Sequence, residues 1–520
     1  AEVFCDFHVM SGNRLQSEII KECGGPGTTP VNNLGRTMLL RKIAAEKKDG
    51  LKAFSKVAGD SEFLKMAGDF IVQIKQNNPE GPDFEKLKGH AREGGLLAAK
   101  LSDMQQFYEA YEAVMAGKFT DAEDELSFVT SKVCESKFVA ESIFWYYGFY
   151  SFTPRQADFI TELARCAADV NMTMMMGRKG DADAWVFEAP AESVRRLLAR
   201  TENAGVDADV FASEGAFARK MPEDLAHLER NLFASPAEIY STVPDSIELV
   251  RCSNALTQAQ TIAAKILTLV RDEGYKYDEI AILTEDMEGM GAAIERVCGD
   301  FGAPLFVDEK RAVSHAPGVE TAAALLEAAA GGRGAPDMLR CLKPGIIELK
   351  SIESPEDLEF LENYSKQYKI FGPMYLRPFK YGKPEYGEEG MEKLESMRSE
   401  FAELIQPFIA SMNKAKTVRD KSIVFYRFMA EELRMPDKLE TTALELANLQ
   451  MLDAAEEQRQ LWDALISLLE QCVELLGDEE MSSSDYVELL IQSLADIKIG
   501  LLPQAEGKLQ LGTLGRSLTS

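Results

Sequence analysis

The chain has 520 residues, of which 46% are apolar and 27% charged, an ordinary balance for a globular protein of several domains. Its formal net charge of −28 argues against tight, autonomous duplex binding, which depends on a basic face neutralising phosphates, but leaves room for a local basic groove or a partner that supplies charge. No apolar run reaches the ~18 residues of a membrane span, the first residues do not form a secretory signal, and the eight scattered cysteines include no C-x-x-C pair that would build a close-paired zinc or iron–sulphur site.

Leu15, Ile19 and Ile20 recur at helical spacing and predict a helix over 14–23, broken by Gly24-Gly25-Pro26-Gly27. A second helix is expected from Asn32 or Asn33 through Met38, Leu39, Leu40 and Ile43. Residues 50–135 read as wholly helical, with an apolar stripe of Leu101, Met104, Phe107, Tyr108, Tyr111, Val114 and Met115. After Gly117, Thr120 and Glu123 resemble a capping box, and Asp121, Glu123, Asp124 and Glu125 are read as first-turn capping rather than catalysis.

The character changes near 140. The aromatic run 143–147, ended by Gly148, predicts a buried strand. A helix follows over 156–168, then an alternating strand through Val170, Met172, Met174 and Met176, a strand at 185–187 and a helix over 192–203. This β-α-β-α order predicts a mostly parallel sheet. A second unit is expected from strands at 247–252, 279–284 and 305–307, with helices over 257–273 and 290–299. Helices dominate from 318 to 500, the longest expected over 440–476, around a Pro/Gly/aromatic loop at 371–390. The wide cysteine spacing is read as reduced thiols, acting as small buried apolar groups.

The fold class is therefore α/β with large all-α insertions. Two sheet units, each interrupted by helices, resemble the superfamily 1 helicase core, a P-loop NTPase-like fold with domains 1A and 2A and insertions 1B and 2B. Particular stretches resemble the AddB family, the B subunits of bacterial AddAB (RexAB-type) helicase–nucleases. They are Arg14-Leu15 with Gly24-Gly25, Gly35-Arg36-Thr37-Met38-Leu39-Leu40-Arg41, Lys100-Leu101-Ser102-Asp103 with Tyr108 and Tyr111, and Gly148-Phe149-Tyr150-Ser151-Phe152-Thr153-Pro154. Ala226-His227-Leu228-Glu229, Gly274-Tyr275-Lys276-Tyr277 with Ile280-Ala281-Ile282-Leu283, Pro304-Leu305-Phe306-Val307-Asp308 and Leu511-Gly512-Thr513-Leu514 with Arg516-Ser517 continue the match in order.

The resemblance implies a division into 1–45 (part of 1A), 46–138 (helical insertion 1B), 139–244 (remainder of 1A), 245–320 (2A), 321–500 (helical insertion 2B) and 501–520 (start of a returning 2A segment). It implies a truncated core. The family's P-loop, which holds ATP and Mg²⁺, is expected before residue 1, and its nuclease domain with a 4Fe-4S cluster beyond Ser520. No catalytic, nucleotide-binding or metal residue, and no cofactor, is therefore expected in this chain. Gly24-Gly25-Pro26-Gly27-Thr28-Thr29 lacks the Gly-Lys-Ser/Thr of a phosphate loop and reads as a turn, as does Gly177-Arg178-Lys179-Gly180. Three departures point away from ATP hydrolysis. Tyr147 replaces a family aspartate, Glu285 stands where such helicases place an arginine, and Gly515 and Leu518 replace an aspartate and an arginine.

In function, the resemblance implies a non-motor core that scans single-stranded DNA for the Chi sequence and scaffolds an AddA-type helicase–nuclease subunit as a heterodimer. Such a complex resects broken double-stranded DNA during recombinational repair, in the cytoplasm near the nucleoid and not at a membrane. Arg14 and Phe149 match the family's DNA-facing positions, with Tyr150, Phe152 and Thr153 as neighbours, and Ser17 replaces a family aromatic. The plainer alternatives are core packing for Phe149 and Phe152 and a surface salt bridge for Arg14. Along 364–386, Tyr364, Tyr368, Phe371, Tyr375, Phe379, Tyr381 and Tyr386 interleave with Lys366, Lys369, Arg377, Lys380 and Lys383, as either a nucleic-acid surface or a packed loop. The rival functions are a protein-interaction scaffold with no DNA binding of its own, and an active ATPase. Without its first strand, the 1A sheet is expected to expose an edge and an apolar face, making the chain poorly soluble or partner-dependent.

Overall fold

The computed structural model describes residues 7–78, 81–92, 94–177, 183–211, 221–308, 311–330, 338–495, 497–500 and 507–515. The protein is mostly helical, with small parallel sheets. None of the described helices is long and apolar enough to cross a membrane.

The chain opens on helix Gly12–Cys23, where the Ser11 side chain caps the N-terminus and Gly24 stops the C-terminus at φ 86°. Strand β1 (Thr29–Val31) leads into helix Asn33–Lys47, capped by Asn32. β1 pairs in parallel with β2 (Phe119–Asp121), across the helices that fill the interval. β3 (Ile143–Phe149) pairs in parallel with β4 (Asp169–Met174) through helix Pro154–Cys166. The second unit is a three-stranded parallel sheet of β5 (Ala281–Leu283), β6 (Leu305–Val307) and β9 (Leu509–Gly512), with β9 in the middle. Leu509 and Leu511 of β9 are fully buried, as a strand flanked on both sides requires. A short antiparallel pair, β7 (Arg311–Ala312) with β8 (Lys498–Ile499), completes the sheets.

The described residues form three apolar cores. The largest runs without a break from Val31, Met38 and Leu40 through Phe107 and Tyr111 to Leu361, Leu461, Leu465 and Tyr486. It joins the two helical regions that the sequence places far apart. Gly35 marks the joint, because a Cβ there would lie 2.7 Å from Leu475 Cδ1. The second core lies under β5-β9-β6, and the third binds helices Gly12–Cys23 and Pro154–Cys166 to the inner face of β3.

Several expectations need correction. The run 143–147 is not a buried strand. Phe144 and Tyr146 face the core, while Ile143, Trp145 and Tyr147 are 60%, 69% and 71% exposed, because the described residues put no layer over that face. Residues Ala184–Phe187 form a 3₁₀ turn instead of a strand, and 247–252 forms no strand and has no ladder partner among the described residues. The helix expected over 440–476 is two helices, Met435–Asn448 and Leu452–Leu476, separated where Gln450 takes φ 62°. The longest described helix is Lys383–Lys414, kinked at Gly387. Cys134 and Cys166 are disulfide-bonded, with Cα atoms 5.2 Å apart, whereas the sequence predicts reduced thiols. Their 32-residue separation hides a pairing that the folding of helix Pro154–Cys166 against Val133–Glu135 creates. Residues 178–180 of the Gly177–Gly180 turn, and Arg516, Ser517 and Leu518, lie outside the described residues.

Candidate nucleic-acid interface

The segment singled out in the sequence begins where β3 ends. The register with β4 slips between Tyr146 and Phe149, with Gly148 at φ 78° inside the irregularity. The slip brings Phe149 beside its strand-mate. The Tyr146 and Phe149 rings are 5.6 Å apart, Phe149 and Phe152 5.3 Å, and Tyr146 and Phe152 6.1 Å, the last pair edge to face. Phe149 remains 44% exposed while Tyr146 reaches into the core. Burial pushes the Tyr146 phenol well above its ordinary range, so it acts as a neutral ring.

A local frame holds this cluster. The Thr153 hydroxyl accepts from Gln156 N at 3.3 Å, and Gln156 Oε1 accepts from Thr153 N at 2.9 Å, a reciprocal cap with Pro154 in the first turn. Phe152 N donates to Ser193 Oγ at 2.7 Å, pinning the turn to helix Glu188–Asn203. The Tyr150 hydroxyl donates to Val186 O at 2.8 Å. Of the five candidates, Phe149 and Phe152 are therefore brought together, Tyr150 is anchored to the neighbouring turn, and Thr153 is occupied as a cap. Arg14 sits apart on the exposed side of helix Gly12–Cys23, which shares the β3 core through Leu15 and Ile19. Its guanidinium makes no ion pair among the described residues. Nearby Glu18 pairs with Lys21 at 2.7 Å, which with the weaker fields of Arg14 and His8 holds that carboxyl below its usual range. Tyr146 is absent from the residues that the sequence singles out, although its alternation with Phe144 was the available signal.

The residues that depart from a nucleotide site have other surroundings. Tyr147 projects from the uncovered face of β3. Glu285, just after β5, accepts from Leu514 N at 3.2 Å and ties β5 to the chain leaving β9. Gly24–Thr29 forms the stop of one helix and the approach to β1, with no lysine in it. These positions do not fit ATP with Mg²⁺.

The acidic first turn near 121 does more than cap a helix. Asp121 is the actual cap and accepts from Asp124 N at 3.0 Å, while Thr120 sits in β2. Asp121 and Lys75 are each only 1% exposed and meet at 2.8 Å. Lys75 also contacts Asp124 at 2.6 Å and Glu112 at 2.9 Å, and the Tyr111 hydroxyl donates to Asp121 at 3.2 Å. Burial alone would raise the Asp121 pKa, but the Lys75 ammonium, joined by the Asp124 N–H and the field of Arg36, holds the carboxyl below its usual range. Arg155, in the first turn of helix Pro154–Cys166, donates to the Lys75 carbonyl and to Glu123 O, connecting this ionic knot to the frame of the aromatic cluster. The one group of metal-ligand type among the described residues is Cys134, Glu162 and Cys166. There the sulfurs are bonded to each other, and Arg165 donates to Cys134 Sγ at 3.1 Å and Glu162 at 2.7 Å, so the place a cation would take is held by a guanidinium.

Of the aromatics along 364–386, Tyr364 and Tyr375 are fully buried and Phe379 and Tyr386 pack against Tyr364, so most of these rings are packed in; the expected 371–390 loop is shorter than that, because Gly372–Leu376 is a 3₁₀ turn and helix Lys383–Lys414 has already begun at Lys383. Phe371 and Tyr381 are the exceptions, 59% and 63% exposed.

Residues 1–229 match the family model described as ADDB, N-terminal. Over nearly its whole length the chain is similar to proteins named as the B subunits of ATP-dependent helicase/deoxyribonucleases. The one from Alkaliphilus metalliredigens is 26% identical, with 98% of this chain and 45% of that protein covered. Those from Desulforudis audaxviator and Bacillus cereus are 28% and 27% identical, each with 98% of this chain and 46% of the relative covered. The chain thus spans somewhat under half the length of these relatives.

Proposed function

We propose that the chain, which matches the AddB N-terminal family model over residues 1–229 and resembles the B subunits over nearly its whole length, is the non-motor, helicase-like core of such a subunit, holding single-stranded DNA while scaffolding an AddA-type partner during the resection of broken ends. The observation that carries this reading is the half-exposed Phe149 at the end of a parallel strand, backed by Tyr146 and Phe152 and framed by a capping box. A ring held from behind and open in front is what base stacking requires, and stacking tolerates any base passing along a scanned strand. Arg14 supplies an exposed cation on a helix of the same core. In this reading the two sheet units are the 1A and 2A domains of a superfamily 1-like core, with the helical regions as 1B and 2B. The protein works in the cytoplasm at the nucleoid. Chemistry lies outside the Gly24–Thr29 and Tyr147 positions. The test is equilibrium binding of a labelled single strand. Phe149→Ala is expected to weaken it, and wild-type affinity in that variant would remove the stacking role.

Two observations favour a second reading, a protein-interaction scaffold. Ile143, Trp145 and Tyr147 make an uncovered apolar face on β3, and the net charge of −28 disfavours polyanions. Binding of an AddA-type partner with no affinity for single strands at low salt would select it.

A further inference from the structure

A cleft of about 600 Å³ opens between helices Pro317–Ala330, Met338–Leu342 and Pro355–Tyr368, far along the chain from β3. Its lining has an apolar floor, in which Leu339 and Ile370 are 6% and 7% exposed. Its rim is cationic. Arg340, Lys343, Lys366 and Lys369 line it; Arg340 is paired with Glu327 at 2.5 Å and Glu320 at 3.5 Å, so the local surplus of positive charge is carried by the three lysines against Glu362. Glu362 bridges Lys343 at 2.9 Å and Lys366 at 2.7 Å, so one carboxylate serves two ammonium groups. Lys369 makes no ion pair among the described residues.

The backbone sets this rim. Lys369 ends helix Pro355–Tyr368 in the left-handed conformation at φ 51°, which side-chain-bearing residues seldom adopt. The turn drives Ile370 into the floor and leaves Phe371 at the lip, 59% exposed, while the nearby Tyr364 and Tyr375 are fully buried. An exposed ring beside an apolar floor and a row of cations matches the chemistry of one nucleotide, a flat base and an anionic phosphate.

We propose that this cleft is a second subsite for single-stranded DNA, taking one base against Phe371 and the floor of Leu339 and Ile370, with the backbone phosphates on Lys343, Lys366 and Lys369. The inference rests on the single-strand reading above and adds a place on the strand's path that no family motif marks. A strand is preferred over a free nucleotide because the cations are strung along the rim from two elements. A triphosphate is normally cradled by consecutive backbone N–H groups.

The test is fluorescence anisotropy of a labelled oligothymidine with the wild-type chain and the Phe371→Ala, Lys369→Glu and Phe149→Ala variants, with dTMP and a glutamate peptide as competitors. Phe371 is exposed, so its truncation leaves the fold intact, as circular dichroism verifies. Phe371→Ala is expected to weaken binding about tenfold, as loss of one stacked base does. Lys369→Glu is expected to flatten the slope of log affinity against log salt by about 0.7 for each phosphate it no longer neutralises. Wild-type affinity in Phe371→Ala, alongside weakened binding in Phe149→Ala, would overturn the cleft and leave the single-strand reading standing. The converse pattern would keep the cleft and remove the β3 cluster from the strand's path. Complete displacement by dTMP would reassign the cleft to a free nucleotide, displacement by the glutamate peptide to a merely anionic partner, and either result overturns the proposal.

Discussion

Replacing Lys75 by methionine tests the energetics of the buried ionic knot most sharply. The substitution keeps the aliphatic stem and removes the ammonium that lies 2.8 Å from Asp121. Both partners are 1% exposed, so solvent screening gives no relief, and an orphaned buried carboxylate costs about 3–5 kcal/mol. Asp124 and Glu112 are 36% and 39% exposed and add far less. The sign with pH follows from Asp121, whose folded-state pKa is depressed. Its contribution is present above the unfolded carboxylate value, about 3.9, and is lost as the pH falls through the folded value. In Lys75→Met that source of acid sensitivity disappears. Because three cores need not unfold together, the assay is native-state hydrogen exchange read on helices Ser61–Asn77 and Ala122–Lys132. Opening there should accelerate by roughly two to three and a half decades, from about 1.4 kcal/mol per decade. The double variant with Asp121→Asn, which retains a capping side chain, should recover most of the loss. Exchange in Lys75→Met within a factor of about five of wild type, equivalent to under 1 kcal/mol, would refute the reasoning.

Gly35→Val should cost about 1–3 kcal/mol by forcing Leu475 and Gln471 away, read as a drop in the melting temperature of the large helical core; an unchanged melt would show that the joint between the two helical regions is loose. Trp145→Glu on the uncovered face of β3 should lower dye binding to apolar surface and raise solubility without altering the circular dichroism spectrum, and unchanged aggregation would place the sticky surface elsewhere. Thiol titration in denaturant should find two more thiols after reduction than before, both removed by the Cys134→Ser, Cys166→Ser pair; equal counts would mean that the sulfurs lie side by side as thiols.

What the sequence disclosed depended on how local the signal was. Ser11, Asn32 and the Thr153–Gln156 pair cap their helices through contacts three residues apart, so those starts were readable or nearly so. Strands with β-branched or alternating residues, such as β4 and β5, were found; Trp185-Val186-Phe187 misled because aromatic propensity carries no information about whether a ladder partner exists. Leucine spacing continued across Gln450 and hid the left-handed break between two antiparallel helices. At the candidate site, Phe149 was legible from the family wording. Tyr146 behind it, the anchoring of Tyr150 on Val186 and the approach of Arg155 to Lys75 came only from the fold, because their partners lie 36 to 80 residues away in sequence or arise from a register slip. The Lys75–Asp121 pair was equally hidden, 46 residues apart.

The most direct test of the central claim is the salt dependence of single-strand binding, measured by anisotropy with wild type, Phe149→Ala and Arg14→Ala, against a duplex of the same length. The account predicts tighter binding of the single strand than of the duplex. Phe149→Ala should lose about 1–3 kcal/mol at every salt concentration, since stacking is not screened. Arg14→Ala should instead flatten the salt slope by about 0.7. No single-strand binding by the wild-type chain at low salt, or equal affinity for single strand and duplex with no effect of Phe149→Ala, would contradict the scanning-core account and leave the scaffold reading in its place.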